Sequence, residues 1–101
     1  VLADDHQLVG EGVAALLRAS GWQVQLVHDG EAAMCECRTL KYQVAIVDVA
    51  MPRMDGFELL HAVRAERIDI PFVFLSMHSD PIVIRRAMEN GALGYVSKSM
   101  A

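Results

Sequence analysis

The stretch from Val44 to Asp48 constrains this chain most, because an apolar, β-branched run ends there on a carboxylate. It leads directly into Val49-Ala50-Met51-Pro52-Arg53-Met54-Asp55-Gly56. A short β-branched run bounded by Pro and Gly reads as a buried strand. Burying an ionised carboxyl is costly unless something pairs with it. Parallel strands, however, open at their carboxyl ends onto the ligand crevice of their sheet, and an acid on the last residue of a strand stands at that edge. Asp48 is therefore the candidate working residue.

The rest of the chain supplies the sheet. Val1-Leu2-Ala3 reads as a first strand ending in Asp4-Asp5. Leu8, Val9, Val13, Leu16 and Leu17 fall on one helical face, and Gly21 supplies the stop. Trp22, Val24 and Leu26 alternate with glutamines as a second strand. Asp29 or Gly30 caps a helix from Glu31 to about Leu40. Strand three spans Val44 to Val49. A helix from Asp55 to about Glu66 buries Leu59, Leu60 and Val63. Ile70 to Leu75 is strand four, with Pro71 near its start. Pro81 opens a helix whose apolar set is Ile82, Val83, Ala87 and Met88, closed by Asn90-Gly91. Leu93 to Val96 is strand five and leads into Ser97-Lys98. Strict β-α alternation with short links predicts a doubly wound parallel sheet with helices on both faces.

At 101 residues, 53% of them hydrophobic and 22% charged, this is one globular domain. No apolar run approaches the ~20 residues of a membrane span, and none is flanked like a signal peptide. A net charge of −4 argues against direct nucleic-acid binding by these residues. Cys35 and Cys37 lie two apart on a helix, on different faces, so they read as reduced thiols and not as a bridge or metal pair.

The strand ends carry Asp4 and Asp5, Asp48, Ser76 and Lys98; strand two contributes nothing comparable. Gathered carboxylates repel one another and call for a cation. A hard ion with oxygen ligands suits them, and Mg²⁺ is favoured because it uses few carboxylates and keeps several waters. The Ser76 hydroxyl and Lys98 ammonium can instead donate to an anion. Acids with metal on one side and donors on the other make a seat for a phosphoryl group, with a carboxylate as nucleophile.

With these residues in place, the chain resembles the receiver domain of two-component response regulators over essentially its whole length. From Asp48 it is 43 residues back to Asp5, 28 forward to Ser76 and 50 forward to Lys98, and Tyr95 lies within strand five. Ala3-Asp4-Asp5-His6 and Gly94-Tyr95-Val96-Ser97-Lys98-Ser99 look most like the NarL/FixJ (LuxR-type) subgroup. The resemblance implies a flavodoxin-like (CheY-like) five-stranded sheet of order 2-1-3-4-5. It implies that Asp48 accepts a phosphoryl group from a sensor histidine kinase. It implies Mg²⁺ bound by Asp5, Asp48 and the Ala50 backbone carbonyl, with Asp4 acting through water. Ser76 and Lys98 would hold the phosphoryl oxygens, Ser76 and Tyr95 would switch, and Ala50 and His78 would tune dephosphorylation.

The same resemblance implies a homodimer through the face of helix four, strand five and helix five. It also implies DNA contact through an output domain beyond Ala101, a cytoplasmic location, and a stoichiometric phosphoacceptor instead of an enzyme. A few residues are expected before Val1, and helix five is expected to be truncated. Ser99 stands where many receivers have proline.

Other readings meet obstacles. Asp4-Asp5 can serve as an N-cap pair for helix one. His6, His28, His61 and His78 read as surface or loop histidines more readily than as ligands. Gly10-Glu11-Gly12-Val13-Ala14-Ala15 fits a dinucleotide fingerprint, but the apolar periodicity from Leu8 puts both glycines inside a helix. A haloacid-dehalogenase-type phosphatase needs a second Asp two residues after its nucleophile, where this chain has Ala50. A receiver-like module without phosphorylation has no support, since acceptor, acids, hydroxyl and lysine are all present. A hybrid kinase or single-domain regulator remains an alternative setting for the same receiver.

Overall fold

The computed structural model describes residues 1–77 and 80–98. His78, Ser99 and the start of a fifth helix lie outside the described residues. In chain order the elements are β1 (Leu2–Ala3), α1 (Gln7–Ala19), β2 (Leu26–Val27), α2 (Gly30–Cys37), β3 (Ala45–Asp48), α3 (Gly56–Ala65), β4 (Phe72–Ser76), α4 (Pro81–Glu89) and β5 (Gly94–Ser97). The five strands form one parallel sheet in the order β2-β1-β3-β4-β5.

Strand side chains alternate between faces, and the core divides accordingly. Ala3, Ala45, Val47, Phe72 and Phe74 pack with Ala33, Met34 and Cys37 of α2, Phe57, Leu60 and Val63 of α3, and Ala87 of α4. Leu2, Ile46 and Leu75 point the other way, toward Val13, Ala14 and Leu17 of α1. Phe57 and Phe74 meet at 5.0 Å between ring centroids, within the range of favourable aromatic pairs.

Several expectations need correction. The second strand is Leu26–Val27, later than the Trp22–Leu26 run; its register is set by pairing with Leu2 and Ala3, and Trp22 stands half exposed. On α1, Leu8 and Leu16 are 84% and 61% exposed, while Gly10 and Ala14 make the buried stripe. A short helix lying close over β1 needs small residues at the contact: a Cβ on Gly10 would already stand 3.2 Å from Leu26 Cδ1. On α4, Ile82 is 78% exposed and Met88 is also exposed, and Ala87 is the buried anchor. The N-cap of α1 is His6, without a side-chain cap, so Asp4 and Asp5 do not cap that helix.

The expected cap at Asp29 is present, and α3 and α4 are capped by acids as well. Asp29 accepts from the Ala32 N–H at 2.7 Å, Asp55 and Glu58 form a reciprocal capping box, and Asp80 caps α4 ahead of Pro81. Both Gly10 and Gly12 lie inside α1, so no phosphate-binding turn follows β1. Cys35 is exposed and Cys37 buried, as expected of two helix positions on different faces.

Candidate functional site

The carboxyl ends of the strands converge as anticipated. Asp4 and Asp5 follow β1, Asp48 closes β3, Ser76 closes β4, and Lys98 comes directly after β5. Parallel register sets Asp48 opposite Leu75 and Ser76 opposite Ser97, so Ser76 lies one residue beyond the level of Asp48 on the adjoining strand. The loop after β3 is held down by α3. A Cβ on Gly56 would lie 2.6 Å from the Asp48 carbonyl oxygen and 3.1 Å from Val49 Cα, and only glycine permits that approach.

Asp4 and Asp48 are buried, with 0% and 2% of their surface exposed, whereas Asp5 is open to solvent. Lys98 is buried with them. Its Nζ donates to Asp48 Oδ2 at 2.7 Å and to Asp4 Oδ1 at 2.9 Å, ion-paired hydrogen bonds of the strong class. The Ala50 N–H donates to Asp48 Oδ1 at 3.2 Å, and the His6 N–H donates to Asp4 Oδ1 at 2.9 Å. Asp4 Oδ2 is buried without a hydrogen-bond partner among the described residues. Tyr95 is half-buried and packs against the larger core cluster.

Burial pushes the Asp48 carboxyl up to about 6; Lys98 pulls the other way, and Asp5 adds to the rise. Burial acts to lower the Lys98 pKa, but its bonds to Asp48 and Asp4 outweigh that and raise it. The lysine is thus a fixed cation between two acids. One ammonium is set against three carboxyl groups, and one of their oxygens, Asp4 Oδ2, is buried without a partner among the described residues. Oxygen-rich, electronegative and partly open, the set fits a hard divalent cation.

A family model described as the response regulator receiver domain matches residues 1–101. The chain belongs to that family. Transcriptional regulatory protein NarL of Mycobacterium tuberculosis is 36% identical over 101 residues, covering 97% of this chain and 46% of that protein. Response regulator UvrY of Escherichia coli is 31% identical over 104 residues, covering all of this chain and 47% of its own length. The receiver thus spans about half the length of these curated relatives. Among solved structures, the signal receiver domain of M. tuberculosis NarL superposes with a TM-score of 0.88 at 34% identity, over 96% of this chain and 80% of that one. The structure of FixJ-N superposes with a TM-score of 0.87 at 29% identity, over 96% of this chain and 78% of that one.

Within this receiver domain, Asp4, Asp5, Asp48 and Lys98 come together directly, while Ser76 and Ala50 flank them. Sequence reasoning missed His6. Its ring Nδ1 lies 3.3 Å from Asp4 Oδ1, 3.3 Å from Asp5 Oδ1, 3.5 Å from Asp48 Oδ2 and 2.9 Å from Lys98 Nζ. The available signal was its position: a residue directly after two strand-end acids starts the helix above the site, and its side chain can turn back over it.

Proposed function

We propose that this receiver takes a phosphoryl group on Asp48 from a phosphohistidine of a sensor kinase and so relays a stimulus to an output. The observation that carries this reading is the buried Asp48–Lys98 ion pair set beside two further acids at one sheet edge. An Asp48 oxygen attacks phosphorus, the P–N bond breaks, and the imidazole leaves with the electron pair while an acyl phosphate forms on Asp48. Lys98 loses one of its two carboxylate partners in that step and would hold a phosphoryl oxygen; Ser76, one residue beyond on β4, would donate to another. Asp5, Asp48 and the Ala50 carbonyl would hold Mg²⁺, with Asp4 acting through water, and the ion would offset charge on the transferring group.

Movement of Ser76 toward the phosphate would let the Tyr95 ring turn inward, and a few kcal/mol of differential contact suffices to switch such an element. Slow hydrolysis would then reset Asp48, at a rate set by Ala50 and by His78, which lies outside the described residues. The domain would act as a stoichiometric phosphoacceptor and not as an enzyme.

Relatives named as transcriptional regulators support a cytoplasmic setting and a DNA-binding output domain outside this chain. No described helix is long and apolar enough to cross a membrane. Exposed Ile82 and Met88 on α4, with Leu93 and Val96 at β5, favour a homodimer through the face built on those elements. Incubation with acetyl phosphate and Mg²⁺ tests the chemistry. Intact-mass spectra gain one phosphate in the wild type and none in Asp48→Asn; an equal gain in the variant would refute the assignment.

A further inference from the structure

His6 belongs geometrically to the acidic cluster that the proposed phosphoacceptor chemistry treats as an all-oxygen cation site, and this inference rests on that reading. One donor atom each from Asp4, Asp5, His6 and Asp48 lies within 4.8 Å of all the others. Around an octahedral ion with bonds of about 2.1 Å, neighbouring donors stand about 3.0 Å apart and opposite ones about 4.2 Å. The separations of 3.3, 3.3 and 3.5 Å from His6 Nδ1 to the three carboxylates are close to those of neighbouring ligands.

Two further observations point the same way. His6 is the N-cap residue of α1 yet makes no side-chain cap, so its ring is not committed to the helix. Asp4 is completely buried, and its Oδ2 has no hydrogen-bond partner among the described residues. An ion held by this cluster would give a partner to an acid that the protein leaves half satisfied. The ring is half exposed, which leaves an ion a route from solvent.

We propose that His6 Nδ1 is a ligand of this cation site, and that the site therefore accepts first-row transition dications in preference to Mg²⁺. The chemistry follows from donor softness. Mg²⁺ takes oxygen and gains little from imidazole, whereas the first-row ions bind nitrogen better, in an order that rises from Mn²⁺ to Cu²⁺ and falls again at Zn²⁺. In the structure Lys98 Nζ lies 2.9 Å from the same nitrogen. Ion binding there displaces the ammonium from His6 and leaves it held by Asp48 and Asp4 alone. The nitrogen ligand thus couples cation loading to a weaker hold on Lys98.

Mn²⁺ alone is the probe, since it is paramagnetic and accepts both carboxylate oxygen and imidazole nitrogen. Pulsed electron paramagnetic resonance of the Mn²⁺-loaded chain shows ¹⁴N modulation in the wild type, and the modulation disappears in His6→Gln while Mn²⁺ still binds. By calorimetry, the preference for Mn²⁺ over Mg²⁺ falls about tenfold in His6→Gln, a scale that even groups merely orienting a metal ligand reach. His28→Gln is the control and leaves both readouts unchanged. Mn²⁺ bound without nitrogen modulation, or modulation that persists in His6→Gln, overturns the assignment of His6 and leaves the acidic site standing. Equal weakening of both ions in the variant makes His6 structural and also overturns it. Failure of the wild type to bind either ion removes the cation site itself, and with it the reading on which the inference rests.

Discussion

Asp48 is held at a cost that depends on pH. Its carboxyl rises to about 6 in the fold from an ordinary value of 3.8, chiefly through burial. Below pH ~4 it is protonated both folded and unfolded, and the full stabilising contribution of the neutral form is present. That contribution is lost as pH rises through about 6, because the fold must then carry a buried negative charge beside Asp4 and Asp5. The difference amounts to on the order of 3 kcal/mol. Asp48→Asn escapes it, and Lys98 keeps Asp4 as a partner. In urea unfolding, the stability of Asp48→Asn relative to wild type is expected to increase by roughly 2–3 kcal/mol between pH 4 and pH 7.5. A pH-independent difference would contradict the assignment of the cost to Asp48.

At the scale of elements, α3 shows how both ends of a helix are fixed by backbone geometry. Its start is pressed against the end of β3, with Gly56 over the Asp48 carbonyl. Its end is a left-handed turn: the Ile68 N–H donates to Val63 O at 3.1 Å, the Arg67 N–H donates to Arg64 O at 2.9 Å, and Arg67 sits at φ 59°. Those are the paired bonds of a Schellman ending, whose left-handed position favours glycine. Two substitutions should therefore act in opposite senses. Arg67→Gly relieves the left-handed strain of an exposed residue and raises stability by about 0.5–1 kcal/mol. Gly56→Ala puts a Cβ against backbone that cannot yield and costs about 1–3 kcal/mol. Thermal melts of the two variants check both signs. The start of α3 near Asp55 was legible from the apolar set Leu59, Leu60 and Val63 that follows it, but the Arg67 turn was not, since a charged residue in left-handed geometry leaves no pattern to read.

Across the whole molecule, the parallel topology explains what the sequence disclosed and what it concealed. Strand ends are legible because topology fixes where they go: Asp4, Asp5, Asp48, Ser76 and Lys98 all stand at the expected edge. Helix faces are less so, because apolar residues outnumber the places that bury them in a chain this small. Leu8 and Ile82 fit the helical period and still point to water, while Gly10, Ala14 and Ala87 take the close contacts. His6 escaped for a related reason, since only folding brings its ring over three carboxylates from two strands. The same convergence makes global stability a readout of the site. Asp4 and Asp5 follow β1 and Asp48 closes β3, so unfolding would disperse the proposed cation ligands, and a bound ion would stabilise only the folded sheet. A divalent ion at ten times its Kd adds about 1.4 kcal/mol, a rise of roughly 5–10 °C in Tm for a domain of this size. Mg²⁺ is expected to produce such a rise at pH 7.5, a much smaller one in Asp48→Asn, and almost none at pH 4, where a proton holds the Asp48 carboxyl. A rise of equal size at both pH values would place the ion elsewhere on the molecule.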